Sequence, residues 1–306
     1  MSTIEVRPFR RSDREQLTDV INRHIQAVMP GITVSVNTVL NQLEREPMEG
    51  IEDPWVDERT TVVAEERQSL VAAAHLLRYA DDDRVPERYR NAGMIRWLVA
   101  AAPLSPWTGS TPAADAVVAA GLAQFDGWKV AGRLADGSLP APGVYGVPDA
   151  WPHVRSAYER AGFVHEGTIE LILVACVDTL RPPPEPPVPG LVARRSIGIN
   201  GTRFTAFLGD EQVGYIEVEI MAGTERLARF SEWADIGDLQ VDEVYPRRDV
   251  ATWLFGKVVE WLHLARIDRL LAYAWPEQSE RLDLYRHLGF VELVRTARGW
   301  SAEPAH

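Results

Sequence analysis

The 306-residue chain is 46% hydrophobic and 25% charged, with a formal net charge of −12, a composition that builds packed cores and lacks the clustered basic surface of a nucleic-acid binder. No apolar run reaches the roughly eighteen residues a membrane helix needs, and MSTIEVRPFR reads as a first strand instead of a signal peptide, so a cytoplasmic protein is expected. The single cysteine, Cys176 in LILVACV, can form no internal disulfide and reads as a buried structural thiol.

In chain order, Ile4 to Arg7 reads as a strand stopped by Pro8, and Ser12-Asp13 opens a helix to about Val28 with Leu17, Val20, Ile21 and Ile25 at helical spacing. A second helix follows from Val36 to Glu46. Thr60 to Ala64 and Ser69 to Tyr79, separated by the polar EERQ, read as a hairpin. After a charged loop, DDDRVPERYRN, come a strand at Met94 to Ala101 and a helix at about Ala113 to Phe125. Lys129 to Pro142 reads as a loop and Gly143 to Val147 as a short strand. Asp149 caps a helix that ends at Gly162, and Val164 to Val177 reads as a closing hairpin.

RPPPEPPVPG, Arg181 to Gly190, has six prolines in ten residues. Proline cannot donate to a sheet and favours an extended spacer, so this is a linker. It divides the chain into residues 1–178, a linker at 179–190, and residues 191–306. Beyond it Leu191 to Arg195 reads as a strand, and Arg203 to Leu208 with Val213 to Ile220 as a hairpin. Ala234 to Val241 is a further strand, Ala251 to Ala265 an apolar helix and Leu270 to Ala274 a strand. No helical segment lies between the first strand and the hairpin of this second half.

SERLDLYRHLGFV, Ser279 to Val291, then feeds a helix through Gly289 into a strand. The same spacing is written in SAYERAGFV, Ser156 to Val164, with Tyr158, Gly162 and Phe163 placed 127 positions before Tyr285, Gly289 and Phe290. A repeat of that period is domain-sized. Each half reads as a hairpin followed by strand, helix, strand, helix and strand, a mixed α/β sheet.

That order, with a helix ending in Y-x-x-x-G-F, resembles the GNAT superfamily of acyl-CoA-dependent N-acyltransferases, here in tandem. The resemblance implies two GNAT-like domains, each a mixed, mostly antiparallel sheet flanked by helices. It also implies acetyl-CoA as co-substrate, a small-molecule or peptidic amine as acceptor, and no metal. The family's phosphate loop reads Q/R-x-x-G-x-G/A and offers backbone N–H groups at a helix start. In the second half PRRDVA, Pro246 to Ala251, takes that place, so the cofactor residues implied are Leu239, Val241, Arg247, Arg248, Asp249, Val250, Ala251 and Thr252. Asp249 stands where the family has glycine. GSTPAA, Gly109 to Ala114, departs further, which makes the first half the degenerate copy. The resemblance assigns Tyr285 as the acid that protonates the leaving thiolate, with Tyr158 its counterpart, and Asp235 as the base, beside Glu232 and Asp238 as alternatives. Both tyrosines also fit simple packing of helix on sheet. A non-catalytic module that binds a metabolite or protein remains the rival reading. His153, His263 and His287 lie on separate helices without ligand spacing and read as surface or half-buried side chains.

Overall fold

The structure, a computed structural model, describes residues 4–44, 53–101, 112–141, 143–180, 185–199, 201–221 and 233–303. Its elements begin with β1 (Glu5–Pro8), α1 (Arg14–Val28), α2 (Val36–Glu44), β2 (Val56–Glu66), β3 (Ser69–Tyr79) and β4 (Ala92–Ala100). They continue through α3 (Pro112–Trp128), β5 (Gly132–Ala135), β6 (Val147–Pro148), α4 (Pro152–Arg160) and β7 (Val164–Cys176). Then come β8 (Leu191–Gly198), β9 (Gly201–Leu208), β10 (Glu211–Ile220), β11 (Trp233–Val241), α5 (Arg247–Leu264), β12 (Arg269–Ala274), α6 (Ser279–Leu288) and β13 (Val291–Ala302). Among the described residues no helix is long and apolar enough to cross a membrane.

The chain separates into two compact units. Unit 1 is Met1–Ile169 with Thr296–His306, and unit 2 is Glu170–Arg295. In unit 1 the strands run in the order β1-β2-β3-β4-β5, followed by the end of β13, whose Trp300, Ser301 and Ala302 oppose Ala135, Leu134 and Arg133. In unit 2 the order is β8-β9-β10-β11-β12, followed by the end of β7, with Leu171 to Cys176 antiparallel to β12. The parallel pairs inside the units are β4–β5 and β11–β12.

The observed division is therefore not the contiguous one at 1–178, 179–190 and 191–306. Each unit takes its sixth strand from a segment that continues past the expected hairpin. β7 runs unbroken for 13 residues and β13 for 12, because neither contains an Asn-Gly or Asp-Gly pair that would turn the chain back. Of the proline-rich stretch, residues 181–184 lie outside the described residues. Two smaller differences concern the first half. A strand, β5, lies inside the stretch expected to be a loop, and the strand expected at Gly143 to Val147 shrinks to Val147–Pro148.

Local chemistry explains the elements that carry the site. α4 and α6 end at Gly162 and Gly289, whose φ values of 86° and 106° suit a residue without a Cβ. On α5, Leu254, Phe255, Val258 and Leu262 pack with Leu282, Tyr285 and Leu288 of α6 and with Phe290, over Ile216, Ala234, Ile236 and Ala272 of the strands. Burying each such leucine or phenylalanine contributes about 1.5–3 kcal/mol. In unit 2 the first two strands meet at a tight turn, Gly198 opposing Gly201, so no helix separates them, whereas α1 and α2 stand at that place in unit 1. Cys176, expected to be buried, is exposed. Strand alternation explains this, since Ala175 goes to the core and its neighbour to the other face.

Candidate active site

The sheet of unit 2 opens between β11 and β12. Pairing runs only from Trp233, Ala234 and Asp235 to Arg269, Leu270 and Leu271, while β11 continues to Val241 and β12 to Ala274. Among the described residues, β11 beyond Asp235 has no strand partner on that side. A bulge sits at the divergence: Glu217 opposes Asp238 and Val218 opposes Ile236, which leaves Gly237 as the extra residue and bends the strand.

A cavity of about 980 Å³ lies at this end of the unit, lined by Tyr215, Leu239, Val241, Arg247, Arg248, Ala251 and Arg281 among others. Of the residues assigned to the cofactor, Leu239, Val241, Arg247, Arg248 and Ala251 line it. Val250 is instead fully buried in the core. Asp249 is exposed and outside the lining, and Thr252 donates its hydroxyl to the Arg248 carbonyl at 2.8 Å.

At the start of α5 the Val250 amide already bonds the Pro246 carbonyl at 3.0 Å. The amides of Arg247, Arg248 and Asp249 precede that first intrahelical bond and have no helical acceptor, so they present the positive end of the helix. Arg247 is paired with Glu243, and Arg248 makes no ion pair among the described residues. Together these groups fit an anion such as a pyrophosphate.

Tyr285 is 2% exposed and packs edge-on against Phe255, centroids 6.1 Å apart, and beside Phe290 at 5.3 Å. Its hydroxyl makes no hydrogen bond among the described residues. Burial raises the Tyr285 pKa, the Arg281 cation draws it down and Asp238 pushes it up. One helical turn before Tyr285, Arg281 donates to the Leu239 carbonyl at 3.3 Å.

Asp235 lies on the other face of the sheet, since its neighbours Ala234 and Ile236 point into the α5–α6 core. Among the described residues its Oδ1 is buried without a hydrogen-bond partner, and Oδ2 accepts from the Tyr273 hydroxyl at 3.2 Å. Burial first and the Glu219 charge second raise its pKa to about 6. Tyr285, packed in the α5–α6 core, and Asp235 thus lie on opposite faces of the sheet, and neither is among the residues that line the cavity. Of the alternatives, Asp238 is already engaged, accepting from the Tyr215 hydroxyl at 2.5 Å and from the Leu239 amide at 2.8 Å. Glu232 lies outside the described residues.

Unit 1 closes the equivalent opening. Past β5 the chain keeps bonding to β4, from the Asp136 amide to Ile95 at 2.8 Å and from the Ser138 amide to Arg96 at 3.1 Å. Gln42 of α2 then bonds the Ser138 carbonyl at 3.2 Å and accepts from the Trp97 indole at 2.8 Å. The same bulge occurs here with Arg96 as the extra residue, and aligning the two bulges sets Met94 against Asp235 and Trp97 against Asp238. Tyr158 donates to the Asp136 carbonyl at 2.8 Å. Residues Gly109 to Thr111 of its loop lie outside the described residues.

Sequence reasoning passed over Arg281, Tyr215 and Tyr273. Arg281 carries a usable signal in the sequence, because it lies four residues before Tyr285 and residues four apart share a helix face. His153, expected to be on the surface or half-buried, is buried, with its Nε2 3.0 Å from the His24 Nε2.

No protein-family model matches the sequence, and no curated protein matches it. Solved structures do. A tandem GNAT protein from the clavulanic acid biosynthesis pathway, solved without acetyl-CoA, superposes with a TM-score of 0.68 at 14% identity, over 99% of this chain and 99% of that one. A GCN5-related N-acetyltransferase from Sphaerobacter thermophilus gives 0.62 at 13% identity, over 99% and 96%. A fungal multi-domain GH3 β-N-acetylglucosaminidase with a GCN5-related glucosamine N-acetyltransferase region gives 0.65 at 12% identity over 98% of this chain, which spans 38% of that protein's length. The fold is a tandem GNAT fold.

Proposed function

We propose that the chain is an acyl-CoA-dependent N-acyltransferase with one working site, in unit 2, and that it moves the acetyl group of acetyl-CoA to a primary amine of a small molecule or peptide. The observation that carries this reading is the asymmetry of the two openings. In unit 2 a tyrosine hydroxyl with no hydrogen bond among the described residues and a carboxyl with a pKa of about 6 belong to opposite faces of a sheet whose β11 and β12 part company. In unit 1 the equivalent tyrosine is tied to a carbonyl and the equivalent carboxylate is a methionine. Fold alone would not decide, since function is carried by sites.

The chain's own groups have definable tasks. The amides of Arg247, Arg248 and Asp249, with the Arg248 guanidinium, would hold the pyrophosphate of coenzyme A. The edge of β11 beyond Asp235, which has no strand partner among the described residues, would hold the amides of its pantetheine arm. When bound, acetyl-CoA supplies an activated acyl carbon and a thiolate leaving group. Asp235 is ionised above about pH 6 and takes a proton from the incoming ammonium. Tyr285 holds the proton that the departing sulfur needs, in a pocket that Phe255 and Phe290 keep dry. A positioned acid or base of this kind is worth about 10²–10⁴ in rate.

Thiol release from acetyl-CoA over a panel of amines, with melting temperature read on the same samples, tests the reading. A raised melting temperature with acetyl-CoA, by mass action on the native state, and amine-dependent release support it. Neither a shift nor release with any amine would leave only a binding module.

A further inference from the structure

Arg281 is not needed to hold α6 in place, since the apolar contacts of Leu282, Leu284, Tyr285 and Leu288 do that. Yet its guanidinium crosses to β11 and bonds the Leu239 carbonyl at 3.3 Å, at the end of the opening where the cavity begins. Four residues on, Tyr285 occupies the same helix face. The charged groups that act on the Tyr285 hydroxyl are Arg281 from its own helix and Asp238 from β11. α5 and the residue before β13 present the rings of Phe255 and Phe290. Asp238 is occupied by Tyr215 and by the Leu239 amide, and of the two charges only the Arg281 cation favours a negative phenol oxygen.

We propose that Arg281 is a positioning residue for acyl transfer: held on the Leu239 carbonyl one turn before Tyr285, its guanidinium stabilises the phenolate left when Tyr285 gives up its proton. This rests on the acyltransferase reading. In that step the amine nitrogen bonds the acyl carbon, the carbon–sulfur bond breaks, and the Tyr285 proton moves to sulfur. The second proton on nitrogen is lost as the amide forms and, passed through water, restores the Tyr285 hydroxyl, while the proton taken earlier by Asp235 leaves to solvent. The cation one helical turn away lowers the cost of the charged intermediate state, as a preorganised dipole or charge does at any site where charge develops.

The test combines two measurements on the full chain. The first is NMR titration of ¹³Cζ-labelled tyrosine in the free protein, with Tyr285→Phe identifying the Tyr285 resonance among the eight tyrosines. The second is the pH profile of kcat and KM for acetyl transfer. In Arg281→Gln the Tyr285 resonance titrates at higher pH than in wild type, and Arg281→Lys restores it. kcat falls about tenfold or more in the Gln variant while KM for acetyl-CoA changes less than about threefold, and the alkaline limb of kcat moves up. Combined with Tyr285→Phe, Arg281→Gln costs kcat nothing further. Arg286→Gln removes a charge from the same helix and leaves the Tyr285 titration alone. Arg281→Met, which keeps the aliphatic stem, replaces the Gln variant if that one melts early. An unmoved Tyr285 titration, or a raised KM with kcat intact, would overturn the proposal and make Arg281 a donor-binding side chain only. A shifted titration in a protein that acetylates no amine would leave Arg281's effect on Tyr285 standing and sink the acyltransferase reading instead.

Discussion

Tyr158 and Tyr285 end equivalent helices 127 positions apart, yet their hydroxyls are differently employed. The first donates to the Asp136 carbonyl at 2.8 Å, and the second makes no hydrogen bond among the described residues. Tyr285→Phe is therefore expected to lower acetyl transfer about 10²-fold or more, with little change in affinity for acetyl-CoA. Tyr158→Phe is expected to cost roughly 0.5–1.5 kcal/mol of stability, the worth of one hydrogen bond, and to leave turnover intact. Initial rates and urea midpoints of the two variants check both halves of the statement, and equal rate losses would mean two working sites.

Asp235 ties activity to an opposite effect on stability. Its folded pKa of about 6 lies above the ordinary 3.8, so between those values the folded chain holds a proton that the unfolded chain has lost. Stability from this group is present at low pH and declines as pH rises through that window, by an amount on the order of 3 kcal/mol. Asp235→Asn should abolish the acid limb of kcat/KM near pH 6 and lower the rate. At pH 8 it should raise the melting temperature. A variant that melts lower at pH 8 would show Asp235 to be a structural carboxylate.

Unit 1 carries the reverse dependence. Burial pushes the pKa of His24 down to about 4 and those of His75 and His153 down to about 3. Each histidine is neutral when folded and gains a proton on unfolding below pH 6.5. Each therefore removes stability as pH falls from 6.5 toward those values, at about 1.4 kcal/mol per pH unit. Hydrogen-exchange protection at pH 5 should fall more in unit 1, where all three lie, than in unit 2. Equal loss in both units would contradict this.

The sixth strand of unit 1 gives a further prediction. Trp300 is 1% exposed and packs beside Tyr158 and His165, centroids 6.0 and 5.1 Å apart. Trp300→Ala is expected to destabilise unit 1 by about 3–5 kcal/mol. A chain ended at Arg295 should lose the cooperative melting of that unit, as should the isolated segment 1–178. Calorimetry that finds 1–178 folded and unperturbed would rule out the assignment of residues 296–302 to unit 1.

Much of this was legible in the residues. The Y-x-x-x-G-F repeat located both tyrosines, both glycine caps and the tandem order, because helix periodicity and a left-handed cap are local properties. The exchange of strand ends was not legible, because a long unbroken strand and a hairpin without a turn pair are written alike in Val164 to Val177. Cys176 was misplaced for a related reason: the apolar run LILVACV hides which face each residue takes. The closing of unit 1 depends on Ser138, Gln42 and Trp97 meeting from three separate segments, and no local pattern announces such a meeting. The choice of Asp235 as base rests only on counting back along a resemblance, and its raised pKa is a consequence of burial that no spacing encodes.

The claim that one site, in unit 2, takes the acyl donor is tested most directly by calorimetric titration of acetyl-CoA into the full chain and into Arg248→Glu. Arg248 lines the cavity without an ion pair among the described residues, beside the free amides of α5. Reversing its charge should weaken binding about tenfold or more, since a like charge then meets the phosphates. The account predicts one acetyl-CoA per chain, with affinity lost in Arg248→Glu and melting temperature without ligand unchanged. Two equivalents per chain, or binding that Arg248→Glu leaves as tight as before, would contradict it.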